Sequence, residues 1–169
     1  MIRDMWTGER VRDPELVDAY AAVEDLASWS PWMPLADAVP VAPREPGVYL
    51  LRDPADQVVV HVGMAGERAG AGRAQGLHGR LADHVGGSGA VGGFDEAALD
   101  RALADATWLA QQLRRLREQG PRRARRWAAD AVRHLSPEVS WAVRPERADA
   151  AFLETEVLLV LRPLGLWSR

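Results

Sequence analysis

The sequence predicts an α+β fold: a small three-stranded mixed or antiparallel sheet flanked by helices, with an inserted helical subdomain and an N-terminal helical arm. Two runs rich in β-branched and aromatic residues, GVYLLR and QVVVHV, flank an Asp-Pro turn and read as a hairpin. A third such run, EVSWAVR, stands far downstream. Helical periodicity fills the stretch between them and the stretch after, so the order is β-β-α, helical segment, β-α.

The totals set the outer limits. A chain of 169 residues that is 47% hydrophobic and 27% charged suits one domain with a sizeable core, not a fibrous or disordered class. No apolar run approaches the roughly 18 residues of a spanning helix. The opening MIRDMWTGERVRD has no apolar signal core, so a soluble, cytoplasmic protein with no membrane partner is expected. The absence of Cys excludes disulfides and cysteine metal sites.

Taken in order, residues 1–45 read as the arm, an acidic helix over Pro14–Ser28 followed by the Pro- and Trp-rich connection SPWMPLADAVPVAPREP. The domain proper occupies 46–169 and opens with the hairpin. A Gly-rich segment, GMAGERAGAGRAQG, leads to a short helix, LHGRLADHV, and a second Gly-rich loop precedes three helices in an insertion over about 95–135. Gly120 and Pro121 mark a helix stop and a helix start there. The third strand then leads into a last helix, ERADAAFLETEVLLVLR, which Pro163 ends.

The hairpin carries two groups able to move a proton, Tyr49 and His61. With Pro54-Ala55-Asp56 as a three-residue loop, Asp53 pairs with Gln57 and Tyr49 falls opposite His61 on one face; a four-residue loop separates them. In the last helix, steps of about 100° per residue place Glu154 among Ala150, Ala151, Leu158 and Leu161, while Asp149 and Glu156 form the wet stripe. A carboxylate on an apolar face needs a cation, a metal or strong donors. An internal Arg–Glu pair and a metal site are both open. On LHGRLADHV, Leu77, Leu81 and Val85 make a stripe with Arg80 and His84 along its edge, and Arg80 can neutralise Glu154 or grip phosphate by its planar fork.

All 21 basic residues are Arg. Residues 61–145 carry 13 Arg against 9 acids, while 1–60 carry 5 against 11, so the middle is electropositive. Its peak is RRLREQGPRRARR, Arg114–Arg126, where seven Arg face one Glu; the run is either a solvated helical face or a polyanion contact. The segment G-A-G-R-A-Q-G lacks the Lys of a phosphate-cradling loop and reads mainly as surface. Most of the seven Trp are core candidates, with Trp127 beside RRARR placed to stack on a base.

Together these elements resemble the GIY-YIG nuclease family. Gly47-Val48-Tyr49 matches the first signature triplet; His61-Val62-Gly63 matches the second, with His in place of its Tyr, and the 11 intervening residues suit the family's spacing. Arg80 looks like the family's helix Arg, His84 stands four later where many members carry His, and Glu154, nine before Pro163, looks like its metal-binding Glu. The insertion has no counterpart in the minimal domain. Where the family often has an Asn after the Pro, this chain has Leu166.

The resemblance implies a metal-dependent endonuclease hydrolysing DNA phosphodiester bonds with Mg²⁺ (or Mn²⁺) on Glu154. It further implies a charge-stabilising Arg80, a water-activating Tyr49 acidified by nearby cations, His61 as the proton acceptor replacing the missing Tyr, and His84 on a phosphate or the leaving oxygen. Arg73, Arg122, Arg123, Arg125 and Arg126 are expected to hold the DNA backbone. Two rival expectations are a catalytically weakened module that binds DNA or protein, prompted by His61 and Leu166, and a nucleotide-binding module using the Gly-rich loop.

Overall fold

The computed structural model describes residues 13–66, 76–88 and 93–167. Its sheet has four strands, β1 (Met33–Pro34), β2 (Gly47–Arg52), β3 (Val59–Ala65) and β4 (Glu138–Val143), ordered β1-β4-β2-β3 with every pair antiparallel. Three of these are the expected runs. The fourth, β1, corrects the expected three-stranded sheet: two residues of the Pro-rich connection lie along β4, with Pro34 at the sheet edge, where its missing N–H is tolerated. So short a strand leaves no alternation in the sequence.

Seven helices accompany the sheet among the described residues: α1 (Pro14–Leu26), α2 (Leu35–Ala38), α3 (Gly76–Gly86), α4 (Phe94–Ala104), α5 (Ala106–Gln119), α6 (Ala124–Leu135) and α7 (Arg147–Leu161). Their ends follow local chemistry. Asp13 caps α1, accepting from the Glu15 N–H at 3.0 Å with Pro14 in the first turn. Asp105 caps α5 by accepting from the N–H groups of Thr107 and Trp108, and Gly120, at φ 75°, closes it.

The sheet is covered on both faces. Tyr49, Leu51, Val60, Val139 and Trp141 pack against Leu77 and Leu81 of α3, Phe94 and Ala98 of α4 and Val132 of α6. Val48, Leu50, Val59, Val62 and Ala142 pack against Tyr20 and Val23 of α1 and Leu153, Val157 and Leu161 of α7. Both the arm and the insertion therefore contribute to the core. Tyr20 is buried, and its hydroxyl accepts the Val59 N–H at 2.8 Å. Ser30 ties the connection to β4, donating its N–H to the Trp141 carbonyl at 2.8 Å. No helix among the described residues is long and apolar enough to cross a membrane.

Candidate active site

The β2–β3 turn decides which face His61 occupies, and it differs from the expected three-residue loop. Asp53 donates its N–H to the Val58 carbonyl at 2.9 Å, and the left-handed residue is Gln57, at φ 63°, so the loop is one residue longer. That change alone would send Tyr49 and His61 to opposite faces. A bulge reverses it: Arg52 pairs with Val59 but Leu51 pairs with His61, which leaves Val60 as an extra residue. Tyr49 is thus paired with Gly63 rather than His61, and His61 sits two residues along the same face. Gly63 has to lack a side chain, because a Cβ there would collide with the Tyr49 phenol.

Four of the expected site residues meet at the phenol oxygen of Tyr49. His84 Nε2 lies 2.8 Å from it, His61 Nε2 3.4 Å, and Arg80 donates from Nε at 3.3 Å. Behind His84, its Nδ1 lies 2.5 Å from Oδ1 of Asp95. An ionised carboxylate only accepts, so this pairing favours the His84 tautomer with its proton on Nδ1, in which Nε2 can accept from the phenol. Phe94 closes the back of the site, its ring 5.5 Å from that of His61 and 5.6 Å from that of His84. Trp167 stacks on Phe94, and the Arg101 guanidinium lies 3.8 Å above the Trp167 ring.

The cluster has an inner and an outer layer. Tyr49 and Asp95 are wholly buried and His61 and His84 nearly so, whereas Arg80 is exposed and Glu154 half-buried. Burial pushes the Tyr49 phenol up to about 12, with Arg80 opposing it, and pushes His61 down to about 3, helped by His84 and Arg80. At the phenol, desolvation outweighs the acidifying pull of Arg80, and at His61 burial disfavours the charged imidazolium. His84 is buried behind Tyr49, with Nε2 on the phenol and Nδ1 on Asp95.

Glu154 comes from α7, which covers the opposite face of the sheet. It makes no hydrogen bond or salt bridge among the described residues, but its charge bears on both Tyr49 and Arg80. Desolvation raises its carboxyl above the ordinary range, with Arg80 opposing. Its donor chemistry fits a hard divalent cation, which commonly takes one or two carboxylates and completes its shell with water and phosphate oxygen. No three His, Asp or Glu side chains are grouped to cage a metal among the described residues.

The basic run divides. Arg122 is bound inward: it donates to Gln112 Oε1 at 2.8 Å, pairs with Asp130 and lies 5.5 Å over Trp127. Trp127, itself half-buried, packs edge-on against buried Trp108. Arg123, Arg125 and Arg126 are exposed at the start of α6. Arg73 and the Gly-rich stretch before Gly76 lie outside the described residues.

Asp95 is the site residue that sequence reasoning passed over. It stands in the first turn of α4, inside the insertion, and shares the buried side of that helix with Ala98 and Ala102. The signal was present in the same form as for Glu154, a carboxylate in step with apolar residues three and seven later. Against known proteins, no family model matches the chain, no curated protein matches it, and no solved structure matches it.

Proposed function

We propose that the protein is a metal-dependent endonuclease of the GIY-YIG type, hydrolysing DNA phosphodiester bonds. The observation that carries this reading is the convergence of Tyr49, His61, Arg80 and His84 on one phenol oxygen, with the charge of Glu154 bearing on Tyr49 and Arg80. These residues lie far apart in the chain and come from β2, β3, α3 and α7. Packing alone gives no reason to gather a phenol, two imidazoles and a guanidinium at one oxygen.

The outer layer suits the substrate. Arg80, exposed and always charged, can donate to two phosphate oxygens from its planar fork and stabilise the charge that grows on them. Glu154 would hold Mg²⁺ (or Mn²⁺), which supplies Lewis acidity at the phosphoryl oxygens. As Arg80 turns to the phosphate it releases the Tyr49 hydroxyl, and a water takes the vacated place on the phenol oxygen. Arg123, Arg125 and Arg126 extend the positive surface for the DNA backbone, an interaction that reads charge and not sequence.

A second reading is favoured by one observation. Tyr49 is 0% exposed and its phenol is pushed up to about 12, which fits a module that binds DNA without cutting it. A nicking assay on supercoiled plasmid separates the two. Under the first reading, wild-type protein with Mg²⁺ or Mn²⁺ nicks, and Glu154→Gln and Arg80→Ala each lose about 10²-fold or more in rate. Binding of the plasmid with no nicking in either metal would establish the second.

A further inference from the structure

Asp95 has no role in the hydrolytic reading, yet it is wholly buried and aimed at the site. We propose that Tyr49, His84 and Asp95 form a proton relay, with Asp95 as the positioning residue that holds His84 in its Nδ1–H form so that bare Nε2 takes the phenolic proton. The proposal rests on the nuclease reading for its chemistry and adds to it a destination for that proton.

The geometry is that of a buried hydrogen-bonded chain. Asp95 Oδ1 accepts from His84 Nδ1 at 2.5 Å, and His84 Nε2 stands 2.8 Å from the phenol oxygen, both within proton-transfer reach. His61 is the poorer acceptor on distance, at 3.4 Å. The His84 ring is surrounded by Tyr49 of β2, His61 of β3 and Phe94 and Asp95 of α4, with Arg80 one turn earlier on its own helix. Asp95 is the carboxylate among these, so an imidazolium formed there is balanced from one side only. A buried phenol with a raised proton affinity cannot serve as a base unaided, and this pairing is what makes its deprotonation accessible.

The step balances. The Tyr49 O–H bond breaks and an N–H bond forms at Nε2, giving an imidazolium against the Asp95 carboxylate. The phenolate takes a proton from the water whose oxygen bonds to phosphorus. The P–O bond to the leaving oxygen breaks with its electron pair, and that oxygen takes a proton from solvent. His84 then returns its proton to Tyr49 as Tyr49 releases its own to solvent, so the net change is one water added across the phosphodiester.

The test begins with the full-length wild-type protein and ¹⁵N NMR of its imidazoles near neutral pH. The relay requires His84 protonated at Nδ1 and bare at Nε2, with a far-downfield Nδ1 proton that moves in Asp95→Asn. It also requires Asp95→Asn to nick about 10²- to 10⁴-fold more slowly than wild type at unchanged DNA affinity. His84 carrying its proton at Nε2 in wild type overturns the relay without any variant having to fold. A folded Asp95→Asn that nicks at the wild-type rate overturns it too. Wild type that shows the required His84 signature but never nicks supports the positioning role of Asp95 and removes the nuclease reading instead.

Discussion

At Gly63 and His61 the fold pays for its chemistry in opposite ways. Gly63 makes room for the phenol, so Gly63→Ala should overpack the site, lower stability by about 1–3 kcal/mol and slow plasmid nicking, read by denaturant melts and the plasmid assay. His61 is held neutral by burial, with its proton affinity lowered from 6.5 to about 3. The unfolded chain therefore binds a proton at His61 that the folded chain refuses, and stability falls as pH drops from about 6.5 toward about 3. Replacing the imidazole, as in His61→Leu, should flatten the dependence of unfolding free energy on pH across that window. An unchanged slope would mean that the acid sensitivity comes from other groups.

At the scale of elements, the insertion has a double use. Its first helix, α4, delivers Phe94 and Asp95 to the site, while the end of α5, the α5–α6 connection and the start of α6 carry the basic run. The structure predicts that these Arg residues differ in kind. Arg123, Arg125 and Arg126 are exposed, so replacing all three by Ala should reduce the slope of log affinity against log salt by about 0.9 for each phosphate no longer neutralised, with little change in melting temperature. Arg122 is committed to Asp130 and Gln112, so Arg122→Ala should cost about 1–3 kcal/mol of stability and leave the salt slope nearly unchanged. Filter-binding titrations over a salt series, beside thermal melts, distinguish the two outcomes. A shared slope change would place Arg122 on the DNA after all.

For the whole molecule, the arm is the decisive case. Read along the sequence, residues 1–45 are an arm leading into the domain; in the fold, Tyr20 and Val23 lie in the core under the sheet and β1 extends it. Deletion of 1–45 should therefore abolish cooperative thermal unfolding, followed by circular dichroism, because it uncovers one face of the sheet and leaves the Val59 N–H without the Tyr20 hydroxyl. A cooperative melt close to that of the full chain would show the arm to be dispensable.

The sequence by itself determined six of the seven described helices, three of the four strands, and the candidates Tyr49, His61, Arg80, His84 and Glu154, because periodicity and residue chemistry are local properties; the four-residue α2, inside the Pro-rich connection, is too short to show periodicity. It placed Tyr49 and His61 on one face by way of a loop and a register that the fold does not use. Turn length and bulge shifted the pairing by one residue each, and only their sum preserved the face. What the tertiary structure alone decided is which groups touch: Asp95 behind His84, Arg122 turned inward, and a phenol so buried that desolvation outweighs the cation beside it. Such facts depend on distant segments meeting and on the water they exclude, and no local pattern encodes either.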